Sequence, residues 1–215
     1  MPITTVLFDL DDTLTDAAEF GASVLAAAIE QHGRALSVEV IKQYPGAPYV
    51  PLIERELGVG TAEATEIYAT YVGLYRDMMP GGLHQQAGAS GLLRALAARD
   101  VRIGLVTNKL EVLAREILDL YGWGPLFGAV VGQDSCAYRK PDPRIIEHAL
   151  GILGGQADAT AFVGDTPSDM QCARGAALPV VVGLLSTTHA SLLTEAGATT
   201  LVPSLDGVLE VVVGA

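Results

Sequence analysis

The sequence predicts an α/β fold: a Rossmann-like, doubly wound parallel sheet that carries a small all-helical domain inserted after its first strand. Two patterns favour this fold. After 80-PGG-82, short apolar strand segments alternate with helical segments, whereas residues 17–79 show helical spacing only. The 215 residues suit one mid-sized domain with an insertion, and a content of 50% hydrophobic residues allows a sizeable core. The chain is therefore expected to be globular.

The first strand and the insertion lie in the N-terminal part of the chain. Residues 3–8, ITTVLF, are β-branched and apolar, as in a strand that is buried on both faces. Two segments with helical spacing follow, AAEFGASVLAAAIEQHG and TAEATEIYATYVGLYRDMM, and the Pro- and Gly-punctuated piece between them predicts a turn and a short helix. We therefore expect residues 16–82 to form the helical domain, and residues 1–15 and 83–215 to form the α/β core.

The C-terminal part of the core alternates strictly between helix and strand. Predicted helices cover residues 91–100, 110–122, 142–154, 168–176, 189–198 and 204–213, and predicted strands cover residues 101–107, 128–132, 160–165, 178–183 and 199–202. Such alternation predicts right-handed crossovers and a mostly parallel sheet, which binds ligands at the carboxyl ends of its strands. Because Asp9, Thr107 and Asp165 each lie at the end of a predicted strand, they are expected along one edge of the sheet.

Charge and composition exclude several classes of partner. The chain has 13 basic and 25 acidic residues, and its formal net charge of −12 disfavours binding to nucleic acid and to anionic membranes. The N-terminus lacks the basic segment of a signal peptide, and no apolar run approaches the roughly 18 residues of a membrane span, so a cytoplasmic protein is expected. Cys136 and Cys172 have neither CxxC spacing nor a neighbouring histidine and are expected to be reduced thiols.

The stretch 6-VLFDLDDTLTD-16 crowds acidic side chains at the end of the first strand. Four aspartates fall within eight positions, and like charges this close repel one another unless a cation or a reaction requires them. Asp9 could act as a nucleophile that forms an acyl phosphate, and Asp11 as the acid that protonates the leaving oxygen. Mg²⁺ prefers carboxylate, water and phosphate oxygens, and Asp165 would be its second carboxylate ligand.

Three further polar residues complete a predicted phosphoryl-transfer site. The hydroxyl of Thr107 and the backbone N–H groups around Asn108 could hold a phosphate at a helix N-terminus, the alternative being a polar cap in a strand-to-helix turn. Lys140, in 139-RKPDP-143, would neutralise both the phosphate and Asp9, the alternative being a solvated surface lysine.

Two pairs of residues have the spacing of a helix capping box. Thr13 and Asp16 form the first pair, and Thr166 and Asp169 form the second, with Pro167 suitably placed at the first helical position. Asp16 is therefore expected to be structural. Asp169 is expected to cap a helix and could also take part in the site.

These motifs resemble those of the haloacid dehalogenase-like hydrolase superfamily across essentially the whole length of the chain. The first signature of the family, DxDx[TV], is matched by 9-DLDDT-13, and the second is matched by Thr107. The third is matched by Lys140 and the fourth by 164-GDTPSD-169. Asp12 stands where many members of the family have glycine. The order of the four motifs, each at a predicted strand end, makes the resemblance specific.

The resemblance implies a role for each residue of the site. Asp9 would be the nucleophile and a magnesium ligand, and Asp11 would be the general acid and base, with its backbone carbonyl on the metal. Thr107 and Asn108 would bind the phosphoryl group, and Lys109 would be either an additional anion contact or a solvated lysine. Lys140 would stabilise the nucleophile and the phosphoryl group. Asp165 would bind magnesium, and Asp169 would orient Lys140 or a metal-bound water.

Within the superfamily, 106-VTNK-109, 131-VGQDS-135 and 139-RKPDP-143 are most similar to the phosphoglycolate phosphatase branch. This resemblance implies a Mg²⁺-dependent phosphatase for a small phosphorylated metabolite, present as a monomer or homodimer, whose helical insertion is a small cap. Active dehalogenases lack the second aspartate of the first signature, so dehalogenation is not expected because Asp11 is present. The alternatives are a sugar phosphomutase of the β-phosphoglucomutase type, an inorganic pyrophosphatase or nucleotidase of the same superfamily, and a non-catalytic protein with this fold.

Overall fold

The computed structural model describes residues 2–186 and 188–214, which form two compact units. One unit contains the chain up to Thr15 together with the chain from Gln85 onward, and the other unit is Asp16–His84. The strands are β1 (Thr5–Phe8), β2 (Thr15–Asp16), β3 (His84–Gln85), β4 (Arg102–Val106), β5 (Phe127–Val131), β6 (Thr160–Gly164), β7 (Val180–Leu184) and β8 (Thr200–Val202). The helices are α1 (Ala18–Gln31), α2 (Val38–Ile41), α3 (Tyr49–Leu57), α4 (Thr61–Gly82), α5 (Ala89–Ala97), α6 (Glu111–Leu120), α7 (Arg144–Leu153), α8 (Pro167–Gly175), α9 (Ala190–Ala196) and α10 (Val208–Val213).

The larger unit is built on a six-stranded sheet with the strand order β5-β4-β1-β6-β7-β8. Every pair of neighbouring strands in this sheet is parallel, so the carboxyl ends of the strands share one edge. The order places the N-terminal strand β1 in the middle, between β4 and β6, because the chain returns to both sides of it through helical crossovers. The predicted doubly wound α/β core is confirmed.

Burial of apolar side chains holds the helices on this sheet. In β1 the side chains of Val6, Leu7 and Phe8 have no solvent exposure, as expected for a central parallel strand. Leu7 belongs to a buried cluster that also contains Ile146 of α7 and Met170 of α8. Each fully buried side chain of this kind contributes about 1.5–3 kcal/mol relative to an exposed one. The core therefore fixes the edge at which the polar strand ends meet.

The helical unit is held together by aromatic side chains. In α4, Tyr71 lies edge-on to Tyr49 of α3 with ring centroids 4.9 Å apart, and Tyr75 lies edge-on to Phe20 of α1, also at 4.9 Å. Tyr71 and Tyr75 are both buried, which explains the aromatic positions at helical spacing in this segment. Across the described parts of the chain, no helix combines the length and apolar character needed to cross a membrane.

Three local features differ from the sequence expectations. Strands β2 and β3 pair with each other, and two residues in each are too few to give an alternating pattern. The predicted capping box of Thr13 and Asp16 is wrong, because Asp16 lies in β2 and α1 begins after Ala17 without a side-chain cap. Helix α4 continues through Pro80 to Gly82, beyond the last residue of the predicted helical segment.

Candidate active site

The carboxyl ends of the three central strands carry the predicted polar residues. Asp9 follows β1 and its backbone N–H donates to the carbonyl of Val163 in β6 at 3.0 Å, while Thr107 follows β4 and donates to Val131 of β5 at 2.9 Å. Asp165 follows β6. The three side chains are buried, with Asp9 6% exposed and Asp165 1% exposed. The parallel register therefore brings these strand ends to one edge, as the sequence predicts.

Lys140 links two carboxylates at this edge. Its Nζ lies 2.7 Å from Oδ1 of Asp9 and 2.7 Å from Oδ1 of Asp169, and the residue is 5% exposed. Burial alone would lower the pKa of Lys140, but the carboxylates of Asp169 and Asp9 raise that pKa well above its usual range. The lysine therefore keeps its charge, and the alternative of a solvated surface lysine is wrong.

The surroundings of Asp9 disfavour the ionised form of its side chain. Burial raises the pKa of Asp9 to about 7, the charges of Asp169 and Asp11 raise it as well, and Lys140 opposes them. An ionised carboxylate in such surroundings needs more positive charge than one lysine supplies. Additional positive charge beside Asp9 would therefore favour its ionised form.

Asp169 both caps helix α8 and holds Lys140. Its Oδ2 accepts hydrogen bonds from the backbone N–H and the hydroxyl of Thr166 at 3.0 and 2.7 Å, and Thr166 in turn accepts from the backbone N–H of Asp169. The predicted capping box of this pair, with Pro167 at the start of the helix, is confirmed. A Cβ at Gly164 would lie 2.6 Å from Cγ of Asp169, so glycine is required there. The cap leaves Oδ1 for Lys140.

The carboxylates of Asp9, Asp165 and Asp169 can together hold a metal ion. One oxygen from each of these three residues lies within 4.8 Å of the others. The oxygens of Asp165 are oriented by Thr13, whose hydroxyl donates to Oδ1 at 2.9 Å, and by Ser186, whose hydroxyl donates to Oδ2 at 3.0 Å. Oxygen donors of this kind suit a hard divalent cation such as Mg²⁺. Ser186 was not found by the sequence analysis.

The charges of the site also fit a divalent cation. The four carboxylates named here belong to Asp9, Asp11, Asp165 and Asp169, and they face the two ammonium groups of Lys140 and Lys109. When all four carboxylates are ionised, one divalent ion would bring this set to neutrality. The side chain of Asp11 lies outside the group of three carboxylates that could hold a metal ion, and the resemblance assigns its backbone carbonyl to the metal instead.

The Asn108 side chain binds the backbone of Lys140. Its Nδ2 donates to the carbonyl of Lys140 at 3.2 Å, and its Oδ1 accepts from the backbone N–H of Lys140 at 3.0 Å. Both polar atoms of the amide are therefore used within the protein. A contact of Asn108 with phosphate would therefore use its backbone N–H group. The hydroxyl of Thr107 accepts a hydrogen bond from the backbone N–H of Lys109 at 3.2 Å, and its own proton can be donated to a phosphate oxygen.

Further bonds fasten the loop that carries Lys140 to the loop after β4. The backbone N–H of Gln133 donates to the carbonyl of Lys109 at 2.9 Å, and Oδ1 of Asp134 accepts from the backbone N–H of Glu111 at 2.8 Å. A Cβ at Gly132 would lie 2.4 Å from the Glu111 nitrogen, so only glycine permits this approach. The two loops therefore form one unit that holds Lys140 in place.

Lys109 forms a second ion pair at the same edge. Its Nζ lies 3.0 Å from Oδ2 of Asp11, and its side chain is only 7% exposed. The alternative of a solvated lysine is therefore wrong. Neighbouring Asp12 has a φ of 58°, a left-handed conformation that glycine adopts freely and aspartate tolerates better than most residues. This conformation explains why the position suits glycine in related sequences.

Comparison with known proteins shows which family the chain resembles. Residues 6–182 match the family of haloacid dehalogenase-like hydrolases. Phosphoglycolate phosphatase of Rhodospirillum rubrum is 36% identical over 187 residues, which are 82% of this chain and 78% of the relative. Phosphoglycolate phosphatase of Agrobacterium fabrum is 32% identical over 181 residues, which are 81% of this chain and 78% of the relative.

Solved structures show the same fold. The crystal structure of a hydrolase from Pseudomonas syringae superimposes with a TM-score of 0.82 and 25% sequence identity, covering 96% of each chain. The family match begins within β1 and ends within β7, and so includes all four motifs at the strand ends. The chain belongs to the haloacid dehalogenase-like hydrolase family.

Proposed function

We propose that this chain, a phosphatase of the haloacid dehalogenase-like family, hydrolyses a small phosphomonoester of the phosphoglycolate type through an aspartyl phosphate on Asp9. The observation that carries the proposal is the buried ion-pair chain of Asp9, Lys140 and Asp169, in which a nucleophile is held 2.7 Å from a lysine at the edge where parallel sheets bind ligands. The two phosphoglycolate phosphatases described above support the substrate class.

The reaction divides into two displacements at phosphorus. An Asp9 oxygen bonds to phosphorus while the bond from phosphorus to the leaving oxygen breaks, and Asp11 gives that oxygen its proton. Asp11 then accepts a proton from water as the water oxygen attacks phosphorus, and the bond to Asp9 breaks to release phosphate. Lys140 offsets the charge of the phosphoryl oxygens, and Thr107 together with backbone N–H groups would hold them.

Mg²⁺ is the metal that we propose for the site. Asp9, Asp165 and the backbone carbonyl of Asp11 would hold it, and phosphatases of this family generally use Mg²⁺. When bound, the ion supplies positive charge that offsets the aspartates and the phosphoryl oxygens. Thr13 and Ser186 keep Asp165 oriented for this role, since each donates to one of its oxygens.

The helical unit Asp16–His84 is the part of the chain that we propose as a cap. Its place in the sequence, directly after the strand that carries Asp9 and Asp11, supports this assignment. A cap would exclude water before the substrate is positioned and would add contacts that select it.

Phosphate release from a panel of esters tests the proposal. The panel contains phosphoglycolate, ethyl phosphate, sugar phosphates, nucleotides and pyrophosphate, each with Mg²⁺ or with EDTA. We expect release that requires Mg²⁺, with the highest kcat/KM on a small monoester. A mutase would instead return an isomeric sugar phosphate, which phosphorus NMR detects. Absence of Mg²⁺-dependent release from every compound would contradict the proposal.

Replacing Asn108 by Ala should lower kcat by about 10- to 100-fold, because Lys140 loses both bonds that fix its backbone. We expect KM to change less than kcat, and the free energy of unfolding to fall by about 1–3 kcal/mol. Steady-state kinetics and urea unfolding measure the two effects. Ser90→Ala is the control, since Ser90 accepts a hydrogen bond from Trp123 away from Lys140. If kcat stayed within twofold in Asn108→Ala, the loop attachment would have no catalytic importance.

A further inference from the structure

The two lysines of the site lie against different carboxylates. Lys140 lies against Asp9 and Asp169, on the side of the nucleophile. Lys109 lies against Asp11, the residue that we propose as the acid for the leaving oxygen, with 3.0 Å between Nζ and Oδ2. In the proposed reaction, one positive charge would therefore lie beside the nucleophile and another beside the acid.

Hydrogen bonds hold the backbone of Lys109 in place, and its side chain is largely shielded from solvent. Its backbone N–H donates to the hydroxyl of Thr107 at 3.2 Å, and its carbonyl accepts from the backbone N–H of Gln133 at 2.9 Å. Its side chain is 7% exposed, in contrast to Lys42, which is 43% exposed. Burying an ammonium group is unfavourable even when it is paired, so stability alone is a weak reason for this arrangement.

We propose that Lys109 selects substrates whose leaving alcohol carries an anionic group on the adjacent carbon, as in the phosphate esters of 2-hydroxy acids. This inference rests on the proposed function. The acid must come within about 2.6–3.2 Å of the leaving oxygen. A carboxylate on the adjacent carbon has oxygens on the order of 3 Å from that same leaving oxygen, given carbon–carbon bonds of about 1.5 Å. A lysine bound to Asp11 is therefore within reach of both.

The chemistry of an ammonium group permits this double contact. Lysine has three N–H donors, so one can remain on Asp11 while another binds the substrate carboxylate. Without Lys109, that carboxylate would approach Asp11 without the ammonium group that now lies 3.0 Å from Oδ2 of Asp11. Asp11 alone would repel a negatively charged leaving group. With Lys109 beside it, this part of the site favours such a group.

An alternative role for Lys109 is to position Asp11 only. In that case every substrate would lose the same factor when Lys109 is replaced, because protonation of the leaving oxygen is common to all of them. Recognition of a substrate carboxylate predicts a loss that depends on the substrate. A pair of esters that differ only in the carboxylate therefore separates the two roles.

The experiment compares phosphoglycolate with ethyl phosphate, which has the same two-carbon skeleton without the carboxylate. Lys109→Met and the control Lys42→Met are assayed as full-length proteins with saturating Mg²⁺. We expect Lys109→Met to lower the ratio of kcat/KM for phosphoglycolate to kcat/KM for ethyl phosphate by at least about 30-fold, mainly through a higher KM for phosphoglycolate. Lys109→Arg should keep part of the ratio, and Lys42→Met should keep all of it.

Two outcomes would overturn the inference. If Lys109→Met lost the same factor in kcat/KM on both esters, Lys109 would only position Asp11. If the wild-type enzyme hydrolysed both esters equally well, the site would not recognise the carboxylate. In either case the phosphatase function would stand, because wild-type release of phosphate from ethyl phosphate remains. Only the absence of Mg²⁺-dependent release from every compound of the panel by the wild type would remove the function itself. Melting curves of the variants confirm that each protein is folded.

Discussion

Replacing Asp9 by Asn is expected to lower kcat by at least about 10⁴-fold, since the amide cannot form the covalent intermediate on which both displacements depend. The substitution keeps the size of the side chain and an oxygen that can accept from Lys140. In the wild type, quenching with acid during turnover should trap a phosphoryl group that hydroxylamine removes, as for an acyl phosphate. Mass spectrometry should find that group on the peptide containing Asp9 and should find none in Asp9→Asn.

The stability of the same variant without metal shows whether lost activity reflects lost folding. The folded-state pKa of Asp9 is about 7, raised from an ordinary value of 3.8 mainly by burial, so ionised Asp9 destabilises the fold. This penalty is absent below about pH 4, grows between about pH 4 and 7, and is complete above about pH 7. Asp9→Asn should therefore be more stable than the metal-free wild type at pH 8, by the order of a few kcal/mol, and similar to it at pH 4.

Adding Mg²⁺ should reverse that order, because binding to the folded wild type stabilises it by mass action and Asp9→Asn has lost a ligand. Full activity in Asp9→Asn would exclude the aspartyl phosphate. If Asp9→Asn were inactive and also less stable than the metal-free wild type at pH 8, the expectation that ionised Asp9 destabilises the fold would be wrong.

The arrangement of the strand ends could be predicted from the sequence because it follows from two periodic signals. An apolar run directly before Asp9, and another before Asp165, indicates buried strands, and helices between strands indicate parallel pairing. Parallel pairing alone places both aspartates at the same edge. The Thr166–Asp169 cap was also predictable, since a capping box depends on residues three positions apart.

The contacts that orient the site could not be predicted, because they join distant parts of the chain. Thr13 donates to Asp165 across 152 positions, which is why its capping spacing with Asp16 was misleading. Asn108 reaches the backbone of Lys140 across 32 positions, and Ser186 reaches Asp165 across 21. Serine is common in loops for local reasons, so nothing in its immediate neighbours distinguishes Ser186. The motif around Asn108 indicates a site residue, but it does not indicate that the side chain binds the backbone of Lys140. Their roles depend on the tertiary structure.

Replacing Lys140 by Met should lower kcat by about 10²- to 10³-fold, because the charge that offsets the phosphoryl oxygens is lost from a buried site. It should also destabilise the metal-free protein at pH 8 by about 3–5 kcal/mol, since Asp9 and Asp169 lose their common partner. Steady-state kinetics and urea unfolding at several pH values measure both effects, with Lys42→Met as the exposed-lysine control.

The pH dependence of that destabilisation has a definite sign. Lys140 lowers the pKa of Asp9, so its removal lets Asp9 take up a proton at a higher pH and relieve the unpaired charge. The loss of stability should therefore be largest at high pH and shrink as the pH falls below 7. In an Asp9→Asn background the same substitution should remove less stability, because only Asp169 then loses an ionic partner. Equal losses in the two backgrounds would show that Asp9 and Lys140 are not energetically coupled, and the nucleophile would then not depend on this lysine for its charge.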